Sequence, residues 1–272
     1  MKTTIAYKGF NGDFSWKGFQ YKKKETYKAD GNGMIFSAYE NLIEMFLHHD
    51  KPNSRFAEVE LWGNVVRKDK GIVFATNIKI VKELSLEELT SLMIDFMFKN
   101  KTENEEYANG CFYSSYICDH ITTKIRNISS SGFCSNISSG EPNATIVTNG
   151  NFSRIALSGA NVRVLSNGNG DSIATVGSGA RIFSNGNKAK INTSGDCSEI
   201  TSNGYDSVII CSGSGSIVKA KKGSLITLTE YSCDDNGDAS MATIKTEYVD
   251  GKRIKEDTWY KLKNGEFFEL NV

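Results

Sequence analysis

Cys118 and His120 come nearest, in type and spacing, to a nucleophile beside a base. Two positions apart on a strand they would share a face, and an imidazole can take a thiol proton. No third group that would orient His120 is identifiable, so an ordinary thiol is the expectation. The other cysteines, Cys111, Cys134, Cys197, Cys211 and Cys233, form no C-x-x-C pair. His48, His49 and His120 complete no zinc-ligand spacing. Free and mostly buried thiols are expected, with no metal and no cofactor. The sequence has no P-loop, no G-x-S-x-G elbow and no H-E-x-x-H pattern.

A second constellation runs through Tyr7-Lys8-Gly9, Phe36-Ser37-Ala38 and Glu58-Val59-Glu60. Its order resembles the ADP-ribosyltransferase pattern of an Arg or His on the first strand, an aromatic-Ser element and a Glu on a later strand. Gly33-Met34-Ile35-Phe36-Ser37 is similar to the NAD-site loop of poly-ADP-ribose polymerases. The resemblance implies NAD-dependent transfer by Lys8, Ser37, Glu58 and Glu60, with Lys8 where the pattern has Arg or His. The bland alternative is a half-buried strand, in which Glu58 and Glu60 alternate with Val59 and Leu61.

These residues need elements to hold them. Residues 1–100 read as an α+β head domain. Ile5-Ala6-Tyr7 and Gly18-Phe19-Gln20-Tyr21 are short strand-like runs, and 55–66 and 72–84 are longer ones. Ser37 to His48 has helical spacing through Leu42, Ile43, Met45 and Phe46. Ser85 and Glu88 form a capping box that opens a helix through Leu89, Leu92, Met93 and Phe96. Residues 101–127 read as a connector, starting with a solvated break at 101–106.

From residue 128 the composition changes. Residues 129–222 hold four of the 29 aromatics, and Gly150, Gly159, Gly168, Gly177, Gly186, Gly195, Gly204 and Gly213 recur every nine residues. Five residues after each stands Ile or Val, from Ile155 to Val218, and the same phase runs back through Ile146 and Ile137 to Ile128. A flexible linker has no reason to keep that phase. A fixed short period predicts a β-solenoid over 128–224, with a small–Ile–small inward set. Asn precedes every second glycine (Asn149, Asn167, Asn185, Asn203), so one coil joins two nine-residue halves, with a side-chain asparagine ladder at one corner. Calcium-binding nine-residue solenoids are approached only at Asn167-Gly168-Asn169-Gly170-Asp171, and their oxygen ligands are not repeated. Residues 225–272 read as an antiparallel cap, with hairpin signals at Val249-Asp250-Gly251-Lys252 and Lys263-Asn264-Gly265-Glu266.

Equivalent positions of successive coils stack in columns. On one face, outward Val147, Leu165 and Phe183 adjoin Arg163 and Arg181, and apolar anchors beside arginine are typical of protein interfaces. That stripe is the expected partner-binding site, unless the head or residues 101–127 fold back and cover it. The opposite columns are Arg154, Ser172, Lys190 and Ala156, Ala174, Asn192. Lys188, Lys190, Lys219, Lys221 and Lys222 read as a solvated face.

The chain has 272 residues, with 32 Lys+Arg against 32 Asp+Glu. Zero net charge argues against a bulk grip on nucleic acid or acidic membranes. A hydrophobic fraction of 39% and an aromatic fraction of 11% exclude general disorder. No secretory h-region or apolar membrane span is present, and a cytoplasmic location in a bacterial host is expected.

Both ends of the chain resemble an uncharacterised family, a domain of unknown function common in phage, prophage and gut-bacterial proteins. The resemblance is carried by Tyr7-Lys8-Gly9-Phe10, Gly18-Phe19-Gln20-Tyr21, Ser54 to Glu60, Ile78 to Ser85 and Val249 to Tyr260. It implies a viral or mobile-element origin and carries no known activity. The expectation is a non-enzymatic protein that binds a host factor, for example one in antiviral defence, or its own copies. The alternatives are an NAD-using transferase and a structural virion component.

Overall fold

The computed structural model describes residues 3–29, 35–49, 51, 53–99, 106–108, 111–233 and 239–271. Gly33 and Met34 of the NAD-loop likeness, and 101–105 of the solvated break, lie outside them. The chain divides into two compact units, Met1–Phe96 and Met97–Val272.

The first unit is built on an antiparallel sheet. Its strands are β1 (Thr4–Phe10), β4 (Thr26–Lys28), β5 (Phe36–Tyr39), β6 (Arg55–Arg67) and β7 (Ile72–Leu84), with a small β2 (Ser15–Trp16), β3 (Phe19–Gln20) pair beside them. The order is β4-β7-β5-β1-β6, and β6 also pairs with β7, so β1, β5, β7 and β6 close a ring. Alternation sends Ala6, Phe10, Ala57, Val59, Leu61, Ile78 and Ile80 to the interior, where Phe14, Tyr21 and Phe36 join them. Helix α1 covers Leu42–His48, not Ser37–His48. The Asn41 side chain accepts from the N–H groups of Ile43 and Glu44 and starts the helix there, which leaves Ser37 in β5. The capping box is present at α2 (Leu86–Lys99): Ser85 Oγ accepts from Glu88 N at 3.1 Å, and Glu88 Oε2 from Ser85 N at 3.0 Å.

The second unit is the β-solenoid. One face stacks Asn127–Ser130, Thr145–Thr148, Arg163–Ser166, Arg181–Ser184, Glu199–Ser202 and Ile217–Ala220; the other stacks Asn136–Ser139, Arg154–Leu157, Ser172–Thr175, Lys190–Thr193 and Val208–Cys211. All these neighbours are parallel and one full coil apart, as Ile146 opposite Val164 and Ile155 opposite Ile173 show. The inward set is small–Ile–small, for example buried Ser153, Ile155 and Leu157. The asparagine ladder exists: Asn185 Nδ2 donates to Asn167 Oδ1 at 2.7 Å, and Asn203 Nδ2 to Asn185 Oδ1 at 2.8 Å. The repeating glycines serve close approach. A Cβ on Gly186 would lie 1.9 Å from the Gly168 carbonyl oxygen.

The stack runs past 128–224 at both ends. Cys111–Ser114 and His120–Thr122 form a coil before it, and Leu225–Cys233 continues the second face after it. There the register steps are shorter than a full coil, from Cys111 to Asn127 and His120 to Asn136 at one end and from Val208 to Leu225 at the other, so a strict count of nine misses them. Beyond lie Ala239–Tyr248, antiparallel to Leu225–Cys233, and the pair Trp259–Lys263 and Glu266–Leu270. Asn264-Gly265 makes the predicted tight hairpin, with both φ positive. Asp250-Gly251 does not: its turn joins strands of different sheets, and the Asp250 carboxylate accepts from the N–H groups of Lys252, Arg253 and Ile254.

Candidate functional site

Lys8 lies on β1 directly opposite Ala57, between the inward residues Ala6 and Phe10. Directly opposed residues point to the same side of a sheet, so its side chain enters the aromatic interior, where it is 2% exposed. Its Nζ donates to the Ser37 carbonyl oxygen at 2.7 Å and sits 5.3 Å from the Tyr21 ring centre and 5.7 Å from that of Phe10. Burial, and after it the charge of Lys17, pushes the amine down to about 7.

Glu58 stands opposite Tyr7, and Glu60 pairs with Lys79 at 3.7 Å. Both alternate with the inward Ala57, Val59 and Leu61, so they occupy the other face of the strand. Ser37 likewise alternates with the buried Phe36 and Ala38; only its carbonyl oxygen meets Lys8. The structure therefore does not bring Lys8 together with the Ser37 hydroxyl, Glu58 and Glu60. Cys118 precedes the strand that holds His120, in a left-handed conformation, so the two do not share a strand face. The thiols are also less buried than expected: among the described cysteines Cys118 and Cys197 are exposed, Cys134 is intermediate and Cys211 is buried. The corners leave φ-positive residues outside the core, which alternation along the strands cannot show.

On the solenoid, the predicted partner stripe is not open surface. Val147 and Leu165 are 0% exposed and Phe183 is 6% exposed. These residues alternate with the inward Ile146, Val164 and Ile182 and are nonetheless shielded from water. An apolar column left in water would forfeit about 25 cal/mol per Å2, which makes such cover stable. Arg181 Nε donates to Glu199 Oε2 at 2.9 Å, and Arg163 Nη1 to the Asn161 carbonyl at 3.4 Å.

The open surface is the opposite face. Its strands form the floor of a groove of about 630 Å3. Along one column run Arg154, Ser172, Lys190 and Val208, and along the next Ala156, Ala174, Asn192 and Ile210. Val208 and Ile210 are each 39% exposed. Sequence reasoning preferred the first face for its Leu and Phe beside two Arg. Size was the usable signal: small and charged columns tolerate water, whereas stacked Leu and Phe demand cover.

Asp171, the last residue of the calcium-like stretch, turns inward and is fully buried. One carboxylate oxygen accepts from Ser153 N at 2.8 Å, and the other from the hydroxyls of Ser166 and Thr148. Burial pushes its carboxyl up to about 6 against these hydrogen bonds. Its occupied oxygens make it part of the corner's internal bonding. Among the described residues no three His, Cys, Asp or Glu are grouped to hold a metal ion, and no helix is long and apolar enough to cross a membrane.

No curated protein and no solved structure matches the chain. Residues 4–92, which carry the Lys8 interior, the capping box and the first half of α2, match the family model of a domain of unknown function, DUF7666.

Proposed function

We propose that the chain is a non-enzymatic interaction protein that docks a protein partner on the open second face of its solenoid. The observation that carries this reading is the exposed groove, where apolar Val208 and Ile210 adjoin the cationic column of Arg154 and Lys190. A rigid stack of coils presents such a surface without ordering cost on binding. The resemblance of the head and tail to phage and prophage proteins supports a host factor as that partner. A protein that acts by binding alone acts stoichiometrically, as an inhibitor of a host defence factor would.

The test compares tagged wild type with Ala174→Glu/Ile210→Glu, shown by circular dichroism to remain folded, in pull-downs from bacterial lysate. A host protein captured by wild type and lost with the variant is the expected result. Equal capture by both overturns the assignment of the face. Capture of further copies of the chain alone replaces a host target with a structural role, as in a virion.

A further inference from the structure

At one corner of the solenoid each coil carries a residue in the left-handed conformation. The column reads Cys118, Cys134, Phe152, Gly170, Lys188 and Asp206, all at positive φ. The strand register fixes the stacking: His120 lies opposite Asn136 and Asn136 opposite Arg154, and two residues before each stand Cys118, Cys134 and Phe152. The Phe133 carbonyl accepts from Cys118 N at 2.7 Å, and the Asn151 carbonyl from Cys134 N at 2.9 Å, so each cysteine backbone is clamped to the next coil. Neighbouring parallel strands run about 4.8 Å apart, inside the roughly 4.4–6.8 Å between Cα atoms that a disulfide spans. The two side chains leave equivalent positions of adjacent coils and so lie side by side, and burial, and after it the neighbouring Cys118, raises the Cys134 thiol above its ordinary pKa.

We propose that Cys118 and Cys134 are a redox-active thiol pair that a small-molecule disulfide of the glutathione class closes into an inter-coil disulfide. Cys118 is exposed and meets the oxidant first. Its thiolate attacks one sulfur of the oxidant and expels one glutathione thiol, leaving a mixed disulfide. Cys134 then gives up its proton, attacks the Cys118 sulfur and expels the second glutathione. One S–S bond forms in the protein and one breaks in the oxidant. The two electrons and two protons that the protein loses leave on the two glutathione thiols.

The position gives the bond a consequence. His120–Thr122 is the terminal strand of the eight-stranded second face. The segment between the two cysteines contains this strand and Asn127–Ser130, so closure ties the outermost coil to the next. Cys197 is the internal contrast. It is exposed at the other corner, where its stacked neighbours are Gly179 and Gly215, so it has no thiol to pair with there.

The test uses the full chain with Cys111→Ser, since tryptic cleavage leaves Cys111 and Cys118 in one peptide. After glutathione disulfide treatment, intact mass should equal that of the reduced chain less two hydrogens, plus one glutathione adduct for each other thiol that is capped. Peptide mapping should join Cys118 to Cys134 while Cys197 alkylates or carries glutathione, and dithiothreitol should reverse the change. Cys134→Ser should stop at a stable glutathione adduct on Cys118. If Cys111→Ser does not fold, tandem mass spectrometry of the wild-type peptide locates the bond instead. Stable glutathione adducts on both cysteines of the unsubstituted pair, alkylation of both in the oxidising buffer, or a bond joining either one to another cysteine overturns the proposal.

Discussion

Asp171→Asn should stabilise the solenoid above neutral pH, which is unusual for removal of a buried carboxylate that accepts three hydrogen bonds. Burial raises the folded-state pKa from 3.8 to about 6. A group raised in the folded state contributes fully below its unfolded pKa and loses that contribution as pH rises through its folded pKa. The wild type should therefore lose stability from about pH 4 to pH 6, by about 3 kcal/mol at one pKa unit per 1.36 kcal/mol. The asparagine carbonyl still accepts from Ser153 N–H. Its amide nitrogen can donate to the Ser166 and Thr148 hydroxyl oxygens, so the bonding at the corner survives without a buried charge. The assay is urea unfolding of both proteins from pH 4 to pH 8, read by hydrogen exchange of solenoid amides. The variant should match the wild type near pH 4 and exceed it by up to about 3 kcal/mol at pH 7.5. A variant weaker than wild type at pH 7.5, with no fall in wild-type stability between pH 4 and 6, would refute the reasoning. The carboxylate would then be ionised and serving as a needed acceptor.

Three further outcomes test other parts of the structure. Lys8 has a folded-state pKa lowered from 10.5 to about 7, so head stability should fall as pH drops from about 10.5 to 7; Lys8→Met should remove that slope in thermal melts. Leu165→Glu should destabilise the chain by about 3 kcal/mol or more, because the site is buried; stability within about 0.5 kcal/mol of wild type would return the stripe to the surface. Gly186→Ala places a methyl 1.9 Å from the Gly168 carbonyl oxygen and should cost about 2–3 kcal/mol in denaturant unfolding.

The solenoid was legible because its code is local and repeated. Isoleucine or valine at a nine-residue phase has one use, a narrow core between two strand faces, and the asparagines before alternate glycines make two such halves one coil. The capping box at Ser85 was legible for the same reason, since both partners lie within one turn. The ends of the stack were not, because the shortened steps from Cys111 to Asn127 and from Val208 to Leu225 keep strand register while breaking the count. Helix α1 begins late because the Asn41 cap outcompetes apolar spacing at Ser37.

Sequence by itself determined which residues stack in a column; tertiary structure decided which columns meet water. Val147, Leu165 and Phe183 follow the same stacking rule as Ala156, Ala174 and Asn192 on the other face. Whether a face meets water depends on non-local packing, and the hydrophobic effect that favours shielding the larger apolar column is non-directional. It leaves no spacing in the sequence to read. The same holds at Lys8 on β1, whose acceptor, the Ser37 carbonyl, comes from β5 and meets it only when the strands pair.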